Sequence, residues 1–441
     1  MKRLLPLLLC AVLALFCATT AQAAGVSITL TASEYALHYA FDAGAQDPFV
    51  ILEYATPAEK GWMMLYSEDG QFEGDVSLAY SGAGGKTSVA LTSARTTGSI
   101  GKASTTLPKA ADYQKPTGKS NAKVMDFVLT ETPEGFHYAF NAIGTDYMLL
   151  YWRSKEQTVT QPVYPDENGH YEGDVISDLT FARTQFTVQV KSGSGSMKKE
   201  ATVRKGYQAP GAPQRQEGRL SGVTVCIDAG HQENGRFVNE PIGPGLSGST
   251  SGKGGMAQGT KTNRRESIVC LEIGMLLRDE LLRQGANVVM TREDQTTFHT
   301  NIERCEIAEA GGAQIMLRLH CNNSSNHSKR GIQVYGPLNS DYAKAVADAD
   351  TYREMGQKLL DAMKTRVGMT LANSTGMVRL NDNYVGNNWA KMMCFLVEMG
   401  YLSNPAEEYL LVTPVYQQWL AEGMADGVYE IAVARGWVQA Q

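Results

Sequence analysis

The sequence predicts a multidomain protein with two tandem all-β sandwich-like repeats, followed by an α/β domain whose central sheet is mainly parallel or mixed and is flanked by helices. Three observations lead to this expectation. In the first half, two short sequence motifs each occur twice, with the same number of residues between the copies, and helical periodicity is lacking. In the second half, short apolar runs alternate with helical segments. A chain of 441 residues is long enough for two to four domains.

The first residues have the pattern of a secretory signal. Lys2 and Arg3 precede an apolar stretch over residues 4–18, and Ala21-Gln-Ala23 supplies small residues for cleavage. The stretch is short for a membrane span, and no later segment is long enough, so we expect no transmembrane segment in the mature chain. Residues 1–23 are therefore expected to be a signal peptide that directs export.

The net charge and the cysteine content indicate which ligands and which nucleophiles to expect. Loss of Lys2 and Arg3 takes the formal net charge from −6 to −8, so no general attraction for nucleic acid is expected. The mature chain keeps five cysteines without a C-x-x-C pair: Cys226, Cys270, Cys305, Cys321 and Cys394. Isolated buried thiols are expected. A Cys321 nucleophile stays open, although its neighbour His320 should point to the other strand face.

Two phrases of the first half are repeated. His38-Tyr-Ala-Phe-Asp42 recurs as His137-Tyr-Ala-Phe-Asn141, and Gly70-Gln-Phe-Glu-Gly-Asp-Val76 recurs as Gly169-His-Tyr-Glu-Gly-Asp-Val175. The spacing is 99 residues for both pairs. Equal spacing indicates a tandem duplication without net insertion between the phrases.

The repeats are expected to cover residues 24–118 and 119–212. Short aromatic and β-branched runs between Gly, Asp, Asn and Pro predict small β-sandwiches. Some aromatic residues could stack on sugar rings, although strand aromatics more often fill a sandwich core: Trp62, Tyr66, Tyr151 and Trp152. The repeated His38 and His137 have no evident partner ligands and are expected to be structural.

Residues 213–441 are expected to form the third domain, which begins in a linker rich in Pro, Gly, Gln and Arg. A predicted strand ends at His231, and a glycine-rich loop over residues 232–262 is expected to form the rim of an active site. Asn263 can cap the helix that follows, and Gly285 ends it. Further strands are expected at residues 286–291 and 332–335, and further helices at residues 301–310 and 342–365.

Three apolar runs in this domain each end at a residue that can bind a metal or work with one. These runs are Val223-Thr-Val-Cys-Ile-Asp-Ala-Gly-His231, Ala313-Gln-Ile-Met-Leu-Arg-Leu-His320 and Met392-Met-Cys-Phe-Leu-Val-Glu398. In open α/β sheets ligands bind beyond the carboxyl ends of the strands. Three widely separated strand ends can therefore converge on one metallohydrolase site.

Glu266 lies in the first turn of the helix after the glycine-rich loop. Alone it is explained by a capping box with Asn263, and His231 or His320 alone is more often structural. Together, two His and one Glu form the ligand set of an open catalytic zinc site, where a bound water has a pKa of about 7. Glu398 can shuttle a proton if burial raises its pKa, or it can be an ordinary cap or turn carboxylate.

Five ordered motifs of the third domain resemble those of the zinc-dependent N-acetylmuramoyl-L-alanine amidases. The resemblance covers residues 220–434, about half the chain. The motifs are Asp228-Ala-Gly-His231, Glu266 with Leu271 on its helix, Val289-Met-Thr-Arg292, Leu319-His320-Cys-Asn322 and Glu398-Met-Gly-Tyr-Leu-Ser-Asn404.

The resemblance implies hydrolysis of the amide bond between N-acetylmuramic acid and the L-alanine of the peptidoglycan stem. On matching positions, His231, Glu266 and His320 would bind Zn²⁺, and Glu398 would act as general base and then general acid. Peptidoglycan is the implied partner, and the protein would be secreted or cell-wall associated, or periplasmic where the organism has an outer membrane. The oligomeric state is left open.

Two residues depart from the family pattern. Arg318 stands where a small serine usually precedes the second histidine by two positions, and Glu309 replaces an asparagine at the end of the preceding helix. Two other functions stay open at this stage: a zinc peptidase that trims wall peptides, and a non-catalytic wall-binding protein.

Overall fold

The computed structural model describes most of the chain, and the structural statements below refer to these residues alone. They are residues 19–21, 25–34, 36–57, 60–78, 83–111, 123–132, 135–143, 148–153, 158–163, 165–166, 168–176, 184–192, 198–205, 211–232, 238–250, 255–368 and 377–440. Apart from Thr19–Ala21, the predicted signal peptide lies outside them. The chain divides into two compact units, residues 1–93 with 98–115, and residues 94–97 with 116–441.

The first unit contains two antiparallel sheets with the strand orders β1-β2-β3-β6 and β5-β4-β7-β8. Its strands are β1 Thr19–Ala21, β2 Ile28–Ala32, β3 Ala36–Asp42, β4 Phe49–Ala55, β5 Lys60–Tyr66, β6 Gln71–Ser77, β7 Gly85–Ser93 and β8 Ser99–Leu107. Alternate residues of both sheets meet in one core, which includes Leu30, Leu37, Leu52 and Leu91. We call this unit the first β module.

The second unit begins with two more antiparallel sheets, ordered β13-β10-β9 and β12-β11-β14-β15. The strands are β9 Lys123–Thr132, β10 Gly135–Ile143, β11 Met148–Arg153, β12 Thr158–Val163, β13 His170–Ile176, β14 Thr184–Ser192 and β15 Lys198–Lys205. Phe136, Leu150 and Val188 fill a shared core. Trp152 lies in this core, so it is a packing residue. We call this region the second β module, and its strand orders match those of the first when β1 is set aside.

The repeated histidines pair with carboxylates of the neighbouring strand. His38 Nδ1 lies 3.1 Å from Asp75 Oδ1, and His137 Nδ1 lies 2.9 Å from Asp174 Oδ1. Both histidines therefore have carboxylate partners, which the pairing of neighbouring strands brings next to them. Among the residues described, the only metal-compatible group of three His, Cys, Asp or Glu side chains lies elsewhere, in the α/β region.

The α/β region has a six-stranded mixed sheet with the order β17-β16-β18-β21-β19-β20. Neighbouring strands are parallel except for the antiparallel pair β19 and β21. The strands are β16 Thr224–Ala229, β17 Asn287–Met290, β18 Ile315–Asn322, β19 Gln333–Gly336, β20 Met377–Leu380 and β21 Met393–Tyr401. The helices are α1 Glu266–Arg283, α2 Asn301–Ala310, α3 Asp341–Val346, α4 Ala349–Val367, α5 Val385–Trp389, α6 Glu407–Leu411 and α7 Pro414–Ala434.

The expected helix cap at Asn263 is wrong. Helix α1 begins at Glu266, its N-cap residue is Arg265, and no side chain caps it. Asn263 instead has the left-handed φ of 53°, and its carbonyl accepts a hydrogen bond from Gln258 Nε2 at 3.1 Å. The loop thus uses Asn263 in a turn, and the capping explanation of Glu266 is excluded.

The single helix expected at residues 342–365 is two helices. Ala347 has extended backbone, and the Asp348 carboxylate accepts a hydrogen bond from the Thr351 amide at 2.7 Å, which starts α4 anew. A side-chain cap of this kind stabilises a helix start and so favours the break.

All five cysteines of this region are free and buried, as expected. In the part of the chain that the structure describes, no helix combines the length and the apolarity that crossing a membrane requires.

Helix α7 packs closely against α4 through two glycines. A Cβ atom built on Gly423 would lie 2.7 Å from Met363 Cα, and one on Gly427 would lie 2.8 Å from Leu359 Cα. These contacts are with backbone atoms, which cannot move aside by changing rotamer. The glycines therefore set the distance between the two helices.

We expect Gly423→Ala to lower the free energy of unfolding by about 1–3 kcal/mol, because overpacking outweighs the gain of about 1 kcal/mol in helix propensity. Urea unfolding of the full chain measures this. Glu430→Ala on the exposed face of the same helix is the control and should change stability by less than about 0.5 kcal/mol. Equal or greater stability of Gly423→Ala would contradict the packing argument.

Candidate metal centre and active site

Three neighbouring strands bring the predicted site residues to one edge of the sheet. β18 lies between β16 and β21, and all three run parallel. Ala229 pairs with Leu319, and His320 pairs with Glu398. β18 continues to Asn322 and β21 continues to Tyr401, so both strands end later than the apolar runs predict. The side chains of His231, His320 and Glu398 nevertheless converge at this edge of the sheet, as predicted.

Glu266 completes a compact cluster with the two histidines. Its Oε1 lies 3.0 Å from His320 Nδ1, and its Oε2 lies 3.1 Å from His231 Nε2. One potential ligand atom from each of the three residues lies within 4.8 Å of the others. The imidazole centroids are 4.9 Å apart and the rings are nearly perpendicular, so both can face one small ion.

Backbone amides hold the Glu266 carboxylate in place. Oε2 accepts a hydrogen bond from the Ala257 amide at 2.8 Å, and Oε1 accepts one from the Cys321 amide at 3.0 Å. Burial alone would raise the pKa of Glu266, but hydrogen bonds from His231 and His320 outweigh it and hold that pKa below its usual range. Glu266 is therefore an anion at neutral pH.

The cluster fits a divalent metal ion. Burial lowers the pKa of His320, which favours the neutral imidazole that metals bind. His320 Nε2 is buried and has no hydrogen-bond partner among the described residues, which is costly unless another group satisfies it. Two imidazoles and one carboxylate are a common ligand set for catalytic zinc. His231, Glu266 and His320 could therefore hold such an ion.

The turn that carries His231 requires glycine before it. A Cβ atom on Gly230 would lie 2.4 Å from the Leu319 carbonyl oxygen and 2.7 Å from His320 Cε1. His231 itself has a left-handed φ of 56°. Only glycine lets the turn approach β18 closely enough for the two imidazoles to share a site.

Two buried arginines hold this turn through its carbonyl oxygens. Arg292 donates from Nε to the Ala229 carbonyl and from Nη2 to the Gly230 carbonyl, both at 2.8 Å. Arg292 Nη2 also donates to the Ser267 carbonyl at 2.7 Å, next to Glu266 in α1. Arg292 thereby fixes the His231 turn relative to the helix that supplies the carboxylate.

Arg304 from α2 binds the same turn, and we call Arg292 and Arg304 together the arginine clamp. Its Nη1 donates to the Ala229 carbonyl at 2.9 Å, and its Nη2 donates to the His231 carbonyl at 3.2 Å. Three successive carbonyls, from residue 229 to residue 231, thus accept hydrogen bonds from guanidinium groups. Arginine suits this task because its planar donors reach several acceptors at once.

Asp228 balances the charge of these arginines. Its buried carboxylate accepts hydrogen bonds from Thr291 Oγ1 at 2.8 Å, from Arg318 Nε at 2.9 Å and from Arg304 Nη1. Burial would raise the pKa of Asp228, but Arg304 and Arg318 outweigh it and hold that pKa far below its usual range. Asp228 is therefore a permanent buried anion.

Arg318, which departs from the family pattern, is part of this buried network. Besides Asp228, it donates from Nη2 to Asn301 Oδ1 at 2.6 Å. A Cβ atom on Gly386 would lie 2.2 Å from Arg318 Cζ, so glycine in α5 makes room for the guanidinium group. The departure is structurally compensated and leaves the His2Glu cluster intact.

The cluster opens into a cavity of about 710 Å³. Its lining includes His231, Glu266, His320 and Glu398, and also Val238, Glu240, Met256 and Ala257 of the glycine-rich loop. This cavity volume is typical of a small-molecule or peptide-segment site. The described parts of the loop thus do contribute a wall of the cavity.

Glu398 has the properties of a proton-transfer group. Burial, and then the negative charge of Glu266, raises its pKa to about 8. In the part of the chain that the structure describes, Glu398 Oε2 is buried without a hydrogen-bond partner. A carboxyl group of this kind is protonated near neutral pH when no cation is close, and it can exchange a proton with a reactant.

The Cys321 thiol does not compete for this role. Its side chain is buried, and burial raises its pKa well above the ordinary value. A nucleophilic cysteine needs a lowered pKa and access to solvent. On β18, His320 is therefore available for chemistry, whereas Cys321 is a packing residue.

Several cavity residues carry no recognisable signal in the sequence. Glu240 accepts hydrogen bonds from the amides of Asn301 and Ile302 at 3.2 and 2.8 Å and thus fixes the loop to the start of α2. Tyr384 enters the cavity wall from a loop with no family motif. Arg292 belongs to a quoted motif, but only its carbonyl partners reveal what it does.

The α/β region is similar to proteins of known family. Residues 225–430 match the family described as N-acetylmuramoyl-L-alanine amidase. This part of the chain is an N-acetylmuramoyl-L-alanine amidase domain. The resemblance drawn from the five motifs is thereby confirmed, and zinc dependence is typical of that family.

Relatives of the amidase domain are moderately similar. The germination-specific N-acetylmuramoyl-L-alanine amidase of Bacillus subtilis is 26% identical over 231 residues, which are 49% of this chain and 83% of that protein. The probable cell wall amidase LytH of Staphylococcus aureus is 27% identical over 48% of this chain and 60% of that protein. A solved amidase from Clostridium difficile 630 is 24% identical, with a TM-score of 0.38, over 48% of this chain and 96% of that one.

We expect Arg292→Lys to weaken zinc binding by about 10- to 100-fold, because one ammonium group cannot hold carbonyls of both the turn and α1. Competition with a chromophoric chelator gives the zinc dissociation constant. Arg278→Lys, another buried arginine of the same domain, is the matched control and should leave it unchanged. Unaltered zinc affinity in Arg292→Lys would refute the clamp.

We expect the metal-free protein to lose stability as the pH rises from about 4.5 to about 8. The pKa of Glu398 is raised in the folded state, so this group binds more protons in the folded protein than in the unfolded chain within this window. Urea unfolding at several pH values with a chelator present measures the slope. Glu398→Gln should reduce it, and an identical slope in that variant would exclude Glu398 as its source.

Proposed function

We propose that this protein is a secreted peptidoglycan hydrolase that cleaves the amide bond between N-acetylmuramic acid and L-alanine by means of zinc-activated water. One observation carries the proposal: Glu266 contacts both His231 and His320, while Glu398 lies opposite His320 on the neighbouring strand and has a raised pKa. The match of residues 225–430 to the amidase family supports this substrate class.

His231, Glu266 and His320 would hold the zinc ion. When bound, the ion supplies Lewis-acid chemistry, which polarises the amide carbonyl and lowers the pKa of a bound water to about 7. The protein contributes positioned ligands, because the arginine clamp and the amides of Ala257 and Cys321 hold them in place. Such pre-organisation reduces the cost of binding.

Glu398 would move the proton that the reaction requires. As a carboxylate it accepts a proton from the attacking water, whose oxygen forms the new bond to the carbonyl carbon. The same group then donates that proton to the amide nitrogen as the C–N bond breaks, so that L-alanine leaves with a free amino group. A pKa near the working pH favours both transfers.

We further propose that the two β modules are tandem copies and that the domain boundaries follow the sequence repeats. Their matching strand orders and the 99-residue spacing of the repeated phrases support duplication. Residues 1–23 would be a signal peptide, residues 24–118 and 119–212 the repeats, and residues 213–441 the catalytic domain. The protein would then act outside the cytoplasmic membrane.

We expect Glu398→Gln to keep zinc and to lose activity by at least about 100-fold, because the proton carrier is removed while the ligands remain. His231→Ala should lose both zinc and activity. Purified peptidoglycan is the substrate, new L-alanine amino termini are the product, and elemental analysis gives the zinc content. Full activity of either variant would refute the assignment, and release of stem-peptide fragments instead would indicate a peptidase.

A further inference from the structure

A buried carboxylate that the proposed reaction does not use holds the end of the glycine-rich loop. Glu408 of α6 is fully buried, and its Oε1 accepts a hydrogen bond from Thr260 Oγ1 at 2.9 Å. Its Oε2 accepts hydrogen bonds from the backbone amides of Lys261 and Thr262, at 2.8 and 3.1 Å. Burying a carboxylate is costly, and these donors offset the cost only while the loop stays in contact with α6.

The bonded loop residues form the tip of a hairpin-like turn, residues 257–266. The Gly259 amide donates to the Arg264 carbonyl at 2.9 Å and closes the turn near its tip. At the open end, the Glu266 amide donates to the Ala257 carbonyl at 2.9 Å, and the Ala257 amide donates to Glu266 Oε2 at 2.8 Å. The turn therefore connects the buried carboxylate of α6, at its tip, to a candidate metal ligand at its open end.

Two residues let this turn fit against α6. Asn263 has a left-handed φ of 53°, a conformation that asparagine adopts more readily than most residues do. A Cβ atom on Gly259 would lie 2.6 Å from Glu408 Oε2 and 2.3 Å from Thr262 Oγ1, so a side chain at this position would displace the carboxylate. The sequence of the turn thus leaves room for the contact with Glu408.

Helix α6 is itself fixed to the sheet beside the cavity. Asn404 Oδ1 accepts a hydrogen bond from the Glu407 amide at 3.1 Å and so fixes the start of the helix. The Glu407 carboxylate accepts hydrogen bonds from the amides of Gly331 and Tyr401, both at 2.8 Å. Tyr401 is the last residue of β21, so the helix that reaches the loop is held by the strand that carries the proton-transfer group.

We propose that Glu408 is a positioning residue for Glu266 and acts through the turn of residues 257–266. Its carboxylate keeps the tip of the turn on α6, so that the Ala257 amide holds the Glu266 carboxylate within reach of both imidazoles. Glu408 acts through the backbone of the turn rather than by contact with the ion. The proposal rests on the proposed function in that Glu266 is a zinc ligand there. Groups that hold a metal ligand in place typically contribute about 10- to 100-fold to metal affinity.

The zinc dissociation constant of the full chain, measured by competition with a chromophoric chelator, tests the proposal. Glu408→Ala should weaken zinc binding at least about tenfold, because the tip of the turn loses its acceptor. Glu408→Gln should keep most of the affinity, since its amide oxygen can replace Oε2 and its NH2 group can donate to the Thr260 hydroxyl. Glu407→Gln is the matched control on the same helix. It sets an NH2 group against a backbone amide and should lower the urea midpoint, yet leave zinc affinity within about twofold.

A change in the loop tests the same contact without altering α6, and it decides the question if Glu408→Ala does not fold. Thr260→Val removes the hydroxyl donor to Glu408 from an exposed position and should weaken zinc binding by about two- to fivefold. Faster hydrogen exchange of the Ala257 amide should accompany it. Lys261→Ala is the control, because the backbone amide that bonds to Glu408 is kept, and it should bind zinc like the parent.

Parental zinc affinity in both Glu408→Ala and Thr260→Val, or an equal loss of affinity in Glu407→Gln, would overturn the proposal. Failure of the proposed function has a different signature. Glu266→Ala would then bind zinc as tightly as the parent, or the zinc-loaded parent would leave soluble N-acetylmuramoyl-peptides intact. Weakened zinc binding in Glu408→Ala beside tight binding by an inactive parent would support the positioning role and refute only the amidase reaction.

Discussion

The buried carboxylate of Asp228 is the constraint on which the candidate active site depends. An unpaired charge in a protein interior is very costly, so Asp228 requires Arg304 and Arg318, and they require Asp228. The three side chains come from β16, α2 and β18 and tie these elements together. Because Asp228 lies three residues before His231, the same network also sets where the first imidazole is placed.

Arginine side chains also hold the backbone of the site in place. Arg304 and Arg292 occupy the carbonyls of residues 229 to 231 and leave little freedom to the turn that carries His231. A left-handed residue after a close-packed glycine would be strained in isolation, and the surrounding hydrogen bonds hold it in place. His320 Nε2 and Glu398 Oε2, by contrast, are buried without a hydrogen-bond partner among the described residues. These two atoms are therefore available to an ion or a reactant.

The β modules use their sheets in a different way. In each module one face of the four-stranded sheet forms the core, and it is filled with residues of similar kind. The opposite face of the first module also carries buried side chains, because Phe49 and Ile51, which alternate with the core residues of their strand, are 1% and 2% exposed. The described residues that line the candidate active site all belong to the α/β region.

The apolar strands, the His2Glu set, Glu398 and the α/β character of the third domain could be predicted from the sequence, because apolar runs and helix periodicity are local properties. The strand ends could not, since β18 and β21 continue past the residues at which the apolar runs stop. Nor could the start of α1, since Asn263 adopts a turn that the loop imposes. The roles of Arg292, Arg304 and Arg318 are evident only from the folded structure. Arg304 lies 76 residues from Asp228 in the chain, and most acceptors of Arg292 and Arg304 are backbone carbonyls. Every residue has a carbonyl group, so no pattern of side chains reveals which ones a guanidinium group will reach after folding.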